Sequence, residues 1–304
     1  MKNWNITNLP PLNGKTVLIT GTGGLALEEA ISLTRAGAKV IIGGRNELKG
    51  NKALEYIRNS VPNAEISFYI LDLANLKSIH MFATSLSTKI DRLDILINNA
   101  AVMAPPLRNI THDGFELQFG TNYLGHFALT AKLLPLLRNG HDARVVTISS
   151  IAAHAGNINF DDLNAEMMYR PMQSYGMSKL ACLMFALELQ HRSNAAGWGI
   201  TSIAAHPGVT RTDLITNGAG SRSFAGWLRK YFWFLFQPIN KGVLPIIYAA
   251  AEIEAQGGGY YGPDRLRETR GNPTSAKLPV RALDREVSSQ LWTVSESLTK
   301  INFK

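Results

Sequence analysis

The chain has 304 residues, 45% of them hydrophobic, and a mean hydropathy near zero, which suffices to bury one sizeable core and excludes a disordered composition. The formal net charge of +8 is spread along the chain, and acidic residues interleave with the basic series Arg265, Arg267, Arg270, Lys277, Arg281 and Arg285, so nucleic acid is not an expected partner. A lone cysteine, Cys182, excludes an internal disulfide framework, fits a reducing, cytoplasmic compartment, and is expected to serve helix packing.

The opening residues, MKNWNITNLPPLNGK, contain no apolar run of the secretory type, which leaves the N-x-T sequons at Asn5 and Asn109 as chance matches. From there, short β-branched runs recur at TVLIT, KVIIG, ISFYIL, DILIN, RVVTIS and ITSIAA, each followed by a stretch with apolar residues three or four apart. Strands that are apolar without alternation predict a parallel sheet covered on both faces. With right-handed crossovers this is an α/β doubly wound, Rossmann-type sheet in a single domain, 1–304. The longest helical patterns run over 111–139, opened by THDG, over 175–194 and over 281–300. No uninterrupted apolar stretch reaches ~18 residues, so no membrane-spanning helix is expected.

The first strand runs into TGTGGLALEEA. A strand that turns through small residues into a helix presents backbone N–H groups and the positive helix end to a pyrophosphate. Gly21 would make the tight turn and Gly24 the close approach, but Ala26 or Leu27 stands where a third glycine belongs and the turn is one residue short. Taken alone, a glycine-rich β-α turn of any α/β protein explains it equally well. At the end of the second strand, VIIGGRN puts Gly44 where an acid would bind an NAD ribose, and Arg45 follows. A guanidinium without a repelling carboxylate favours the 2′-phosphate of NADP(H), unless Arg45 is simply a surface residue before a helix capped by Asn46. Asp72, after the third strand, could bond an adenine amino group or cap the helix that follows.

Four further pieces appear in order: NNAAV, FGTNYLGHF, RVVTISS and YGMSKLA. With DGFELQFGTNYLGHFALT, FDDLN and HPGVTRTDL, they resemble the single-domain branch of the short-chain dehydrogenase/reductase family, most closely its retinol-dehydrogenase-like members, from about Lys15 to the LWTVSESLT helix. The resemblance implies an NADP(H)-dependent oxidoreductase that moves a hydride between nicotinamide and a lipophilic ketone, aldehyde or alcohol. Tyr175 would be the general acid/base and Lys179 its partner one turn later on the same helix face, an ammonium that favours phenolate and bonds the nicotinamide ribose. Ser150 would polarise the substrate carbonyl, and Asn122 would hold a water that links Lys179 to solvent. The cofactor set that the resemblance implies is Gly21, Thr22, Gly24, Leu25, Arg45, Asn46, Asp72, Leu73, Asn99, Ala100, Tyr175, Lys179, Pro207, Gly208, Thr210 and Thr212. Asn98 is expected to tie strands together, Ala101 replaces a usual glycine beside the ribose, and His206 is expected to be a strand-end packing residue.

Each of these residues has a plain structural reading by itself, and the joint order of all four catalytic types is what favours the chemistry. In this scheme 15–210 form the cofactor-binding and catalytic core, 211–250 the substrate lid, and 251–304 the last strand and C-terminal helix. The aromatic-rich stretch FAGWLRKYFWFLFQP is read as a lid over a greasy pocket, ahead of a membrane-surface patch or a homo-oligomer interface. Two other classes stay open: a non-catalytic NADP-binding interaction or sensor protein, and a nucleotide-sugar epimerase or dehydratase sharing Y-x-x-x-K. The expected partner is a small lipophilic carbonyl or alcohol, with no metal.

Overall fold

The structure, a computed structural model, describes residues 4–210 and 237–303. Thr212 and nearly all of the aromatic stretch at 224–238 lie outside these. Eight strands form one sheet: β1 (Thr16–Thr20), β2 (Lys39–Gly44), β3 (Ile66–Ile70), β4 (Ile95–Asn98), β5 (Arg144–Ile148), β6 (Thr201–Ala205), β7 (Tyr260–Arg265) and β8 (Arg270–Ser275), in the order 3-2-1-4-5-6-7-8. All neighbours are parallel except β7 and β8, which pair antiparallel. The order reverses between β1 and β4, and an open α/β sheet offers its ligand crevice beyond the strand ends at such a point.

The central strands are β-branched because both of their faces are covered. On one face lie α3 (Leu76–Ser87), α4 (Gly125–Arg138), α5 (Pro171–Ala196) and α7 (Arg285–Thr299), around Phe127, Phe185 and Trp292. On the other lie α1 (Leu25–Arg35), α2 (Glu47–Ser60) and α6 (Leu244–Ala251), around Val17, Ile42 and Ile247. Local sequence sets several helix starts. Asn46 accepts the Lys49 N–H at 2.9 Å, Asn75 accepts that of Ser78 at 3.1 Å, and Asp284 accepts that of Val287 at 3.0 Å, each satisfying an orphan amide of a first turn. Pro171 opens α5, and Gly197 at φ 64° closes it.

Four expectations need correction. The helical pattern at 111–139 begins later: Ile110 bridges to Glu116, Thr111 closes a turn on Phe115, and a π-helical turn (Phe119–Leu124) precedes α4. Asp72 does not cap α3, because Asn75 holds that place; Asp72 instead accepts the Ala74 N–H at 3.0 Å. Residues 244–250, assigned to the lid, belong to the wholly buried α6 that packs on β5, β6 and β7, an apolar helix covering the sheet rather than the pocket. The last segment holds two strands, and β8 escapes detection because Pro and Gly interrupt it at the sheet edge. Among the described residues, no helix is long and apolar enough to cross a membrane.

One buried acid carries a consequence for stability. Glu29 on α1 is fully buried, its two carboxylate oxygens meet no hydrogen-bond partner among the described residues, and burial lifts its pKa from the ordinary 4.5 to about 8. The folded state therefore retains a proton that the unfolded chain releases, so stability is full below about 4.5 and falls as the pH rises through the window up to about 8. The loss is at most about 1.4 kcal/mol per pH unit in that window. Glu29→Gln is expected to flatten this slope and raise the melting temperature at pH 8. Parallel pH profiles for the two proteins would show that Glu29 is not the titrating group.

Candidate active site

Beyond the carboxyl ends of β1, β4, β5 and β6 lies a cavity of about 250 Å³ lined by Leu25, Asn99, Ser150, Tyr175, Lys179 and the turn from Pro207 to Thr210. A larger cleft of about 770 Å³, between the N-terminal residues and α1, contains none of the candidate catalytic groups.

Tyr175 and Lys179 enter the cavity from one face of α5, four residues apart, and both are almost completely buried. Lys179 Nζ donates to the Ile148 carbonyl at 2.9 Å and stands 5.9 Å from the centre of the Tyr175 ring. Burial pushes the Tyr175 phenol up to about 12, against a smaller opposing effect of its hydrogen bond with Ser150, and burial likewise lowers Lys179. The expected stabilisation of phenolate by Lys179 is therefore not what dominates here. Desolvation wins, and Tyr175 is protonated at neutral pH.

Successive residues of a strand point to opposite faces, and the two serines at the end of β5 divide accordingly. Ser149 Oγ donates to the Lys179 carbonyl at 2.8 Å and fixes α5 on the sheet. Ser150 faces the cavity and starts the 3-10 turn Ile151–Ala155 by accepting the Ala152 N–H at 3.2 Å. That bond uses an acceptor site only, so the hydroxyl proton is left to Tyr175 or to another oxygen in the cavity.

Asn122 lies behind the cavity in the π-helical turn, a distortion often found at functional sites. Its side chain is committed: Oδ1 accepts the Val102 N–H at 2.7 Å, while Nδ2 donates to the Val102 carbonyl at 2.9 Å and to Ser178 Oγ at 3.0 Å. Its carbonyl receives His126 Nδ1 at 2.8 Å and Cys182 Sγ at 3.1 Å. Cys182 is thus a packing residue, as expected. Burial brings His126 down to about 4, so the ring is neutral. Because Nδ1 donates to a carbonyl, Nε2 must accept, and Thr20 Oγ1 donates to it at 2.9 Å.

Thr20 also accepts the N–H groups of Asn99 and Ala100, each at 2.9 Å, while Asn99 Nδ2 donates to the Thr20 carbonyl at 2.9 Å. The side-chain tie between strands is therefore made by Asn99. Asn98, expected in that role, reaches Thr130 on α4 at 3.1 Å. His126 carries no distinctive signal in the sequence, since a histidine inside a helical pattern reads as core.

On the cofactor side, Gly21 has φ 105° and Gly24 φ 57°, and space is open around Gly23. This is a backbone that brings amides close to a ligand at the start of α1. Ala26 is completely buried, its methyl lying 3.5 Å from where a Cβ on Gly21 would stand. The one-residue-shorter turn accommodates that methyl in ordinary contact. A Cβ on Gly44 would sit 2.5 Å from the Thr22 methyl, so no acid fits there without displacing Thr22. Arg45 is exposed and Asn46 caps α2. Asp72 follows β3, 4.0 Å from His112. Leu73 is buried with its carbonyl against Gly125. Thr210 Oγ1 donates to the Pro207 carbonyl at 2.8 Å and so closes the turn it belongs to.

Of the candidates, Leu25, Asn99, Ser150, Tyr175, Lys179, Pro207, Gly208 and Thr210 share the cavity. Gly21, Thr22, Gly24, Arg45, Asn46, Asp72, Leu73 and Ala100 belong to the connections that leave β1 to β4. The sequence did not single out Met103, Ile151, Met172 and Val209, which make the wall apolar.

Residues 15–220 match the short chain dehydrogenase family model. Retinol dehydrogenase 13 of Mus musculus is 42% identical over 291 residues, covering 94% of this chain and 84% of that protein. Polyprenol dehydrogenase of Mus musculus is 36% identical over 303 residues, covering 96% and 85%. An uncharacterized protein from Mycobacterium paratuberculosis superposes with a TM-score of 0.82 at 37% identity, covering 99% of each chain. With this sheet order, this cavity and these relatives, the chain belongs to the short-chain dehydrogenase family, as an oxidoreductase acting on CH–OH and C=O groups.

Proposed function

We propose that the protein is an NADP(H)-dependent dehydrogenase/reductase for a lipophilic ketone, aldehyde or alcohol, with Tyr175 as its proton donor. The observation that carries this reading is the presence of Ser150, Tyr175 and Lys179 in one mostly apolar cavity. When bound, the nicotinamide cofactor supplies or takes up the hydride. Around it, the amides of the Gly21–Gly24 turn and the start of α1 would hold the pyrophosphate, Arg45 the 2′-phosphate, Lys179 the nicotinamide ribose, and the Pro207–Thr210 turn the nicotinamide end.

A substrate oxygen between Ser150 and Tyr175 would accept from both hydroxyls. In reduction the phenol of Tyr175, protonated at neutral pH, gives its proton to that oxygen. Leu25, Met103, Ile151, Met172 and Val209 exclude water and favour an apolar substrate body. The relatives named retinol and polyprenol dehydrogenases support such a substrate. The lone buried cysteine supports a reducing, cytoplasmic setting.

Titration with NADPH and with NADH, followed by turnover on a panel of retinal, long-chain aldehydes and bulky ketones, tests the reading. Tight NADPH binding with reduction of at least one apolar carbonyl is expected. Binding without any turnover would favour a sensor role, and tightly retained NAD would favour the epimerase class.

A further inference from the structure

We propose that His206 and Glu268 form a latch that holds the Pro207–Gly208 turn in place, which makes them positioning residues for the nicotinamide half of the cofactor. The latch rests on the reading of this cleft as a nicotinamide site.

His206 directly follows β6, immediately before the turn, and its side chain is completely buried. The Gly208 N–H donates to Nδ1 at 3.3 Å, so Nδ1 accepts and Nε2 carries the proton, which points at Glu268 Oε2 at 3.2 Å. One carboxylate thus selects the tautomer that can receive the Gly208 amide. Burial lowers the pKa of His206, and its hydrogen bond lowers that of Glu268, consistent with a neutral imidazole beside a carboxylate. The second carboxylate oxygen accepts the Lys277 N–H at 2.7 Å, so Glu268 joins the chain beyond β8 to the end of β6.

Glu268 comes from the loop between β7 and β8, where Leu266, Arg267 and Glu268 all have positive φ, a conformation that non-glycine residues adopt only when their surroundings hold them there. Further contacts bind the same hairpin to the turn. The Val209 N–H donates to the Thr269 carbonyl at 2.8 Å, and the Thr269 carbonyl fills the place where a Cβ on Gly208 would stand. Gln237 Nε2 donates to the Pro207 carbonyl at 2.5 Å, while its Oε1 accepts the Gly271 N–H at 3.2 Å. On β7, Gly262 leaves the space that the imidazole occupies. The edge hairpin therefore reaches across to the turn beside Tyr175, and its one charged contact with His206 is Glu268.

The test compares two ligands on the whole chain. NADPH engages the turn, whereas adenosine 2′,5′-bisphosphate presents only the adenosine half. Losing a charge-assisted hydrogen bond of this type corresponds to about a ten-fold effect or more. Glu268→Ala and His206→Leu are each expected to weaken NADPH about ten-fold and leave adenosine 2′,5′-bisphosphate unchanged. His206→Asn, whose Oδ1 can still accept the Gly208 N–H, is expected to recover much of that loss. Equal weakening of both ligands would show a general fold defect, and unchanged NADPH affinity would show that the turn needs no latch; either overturns the proposal. A wild-type chain that binds neither NADPH nor NADH overturns the cofactor reading itself, and the latch with it.

Discussion

Tyr175→Phe should lower turnover by about 10²- to 10⁴-fold, the usual size of a positioned acid-base group, while cofactor affinity stays within about two-fold. The substitution removes one oxygen and keeps the ring in its buried site on α5. Its size follows from the environment: burial pushes the phenol up to about 12, so the group is protonated and able to donate across the neutral range. For the same reason the oxidising direction, which needs the phenolate, should speed up as the pH rises toward 10, and this dependence should vanish in the variant. Steady-state kcat/KM in both directions, with cofactor affinity read from energy transfer between tryptophan and reduced nicotinamide, checks the prediction. A loss smaller than ten-fold would assign the proton to another group.

Arg45→Asp should cost about 10- to 100-fold in kcat/KM for NADPH and improve NADH, reversing or levelling the preference. The estimate is that of a lost charge-assisted hydrogen bond, with added repulsion between the new carboxylate and a 2′-phosphate. The structure explains why the test belongs at position 45. The usual acidic position is Gly44, and there a side chain would collide with the Thr22 methyl. Gly44→Asp would thus mix a steric defect with the electrostatic one, whereas Arg45 is exposed and free to change. Unaltered preference in Arg45→Asp would remove this residue from cofactor selection.

The first six of the seven parallel strands were legible because each is a short apolar run rich in β-branched residues, the pattern of a covered parallel sheet. The Tyr175–Lys179 pair was legible through its resemblance to the family's Y-x-x-x-K motif, whose four-residue spacing puts both side chains on one helix face. The boundaries around Asn122 were not, since one six-residue π-helical turn is too short to show a period distinct from the α-helix it runs into, and Thr111 to Phe115 form a loop held by tertiary contacts. Most of α6 was assigned to the lid because the resemblance places the lid after the sixth strand, and only the sheet beneath the helix shows what it covers.

The amino-acid sequence by itself determined the alternation of strands and helices and the turn after β1, which depend on local periodicity and spacing, while Ser150, Tyr175 and Lys179 were picked out by the resemblance of their motifs to the family. Tertiary structure alone decided how charge is distributed in the site. Whether Tyr175 is a phenol or a phenolate depends on how completely it is desolvated, against the smaller effect of its hydrogen bond with Ser150. Which asparagine ties the strands, and which nitrogen of His206 carries its proton, depend on neighbours far away in the chain. Spacing brings residues to a site, but burial and hydrogen-bond partners, which no local pattern encodes, set their protonation.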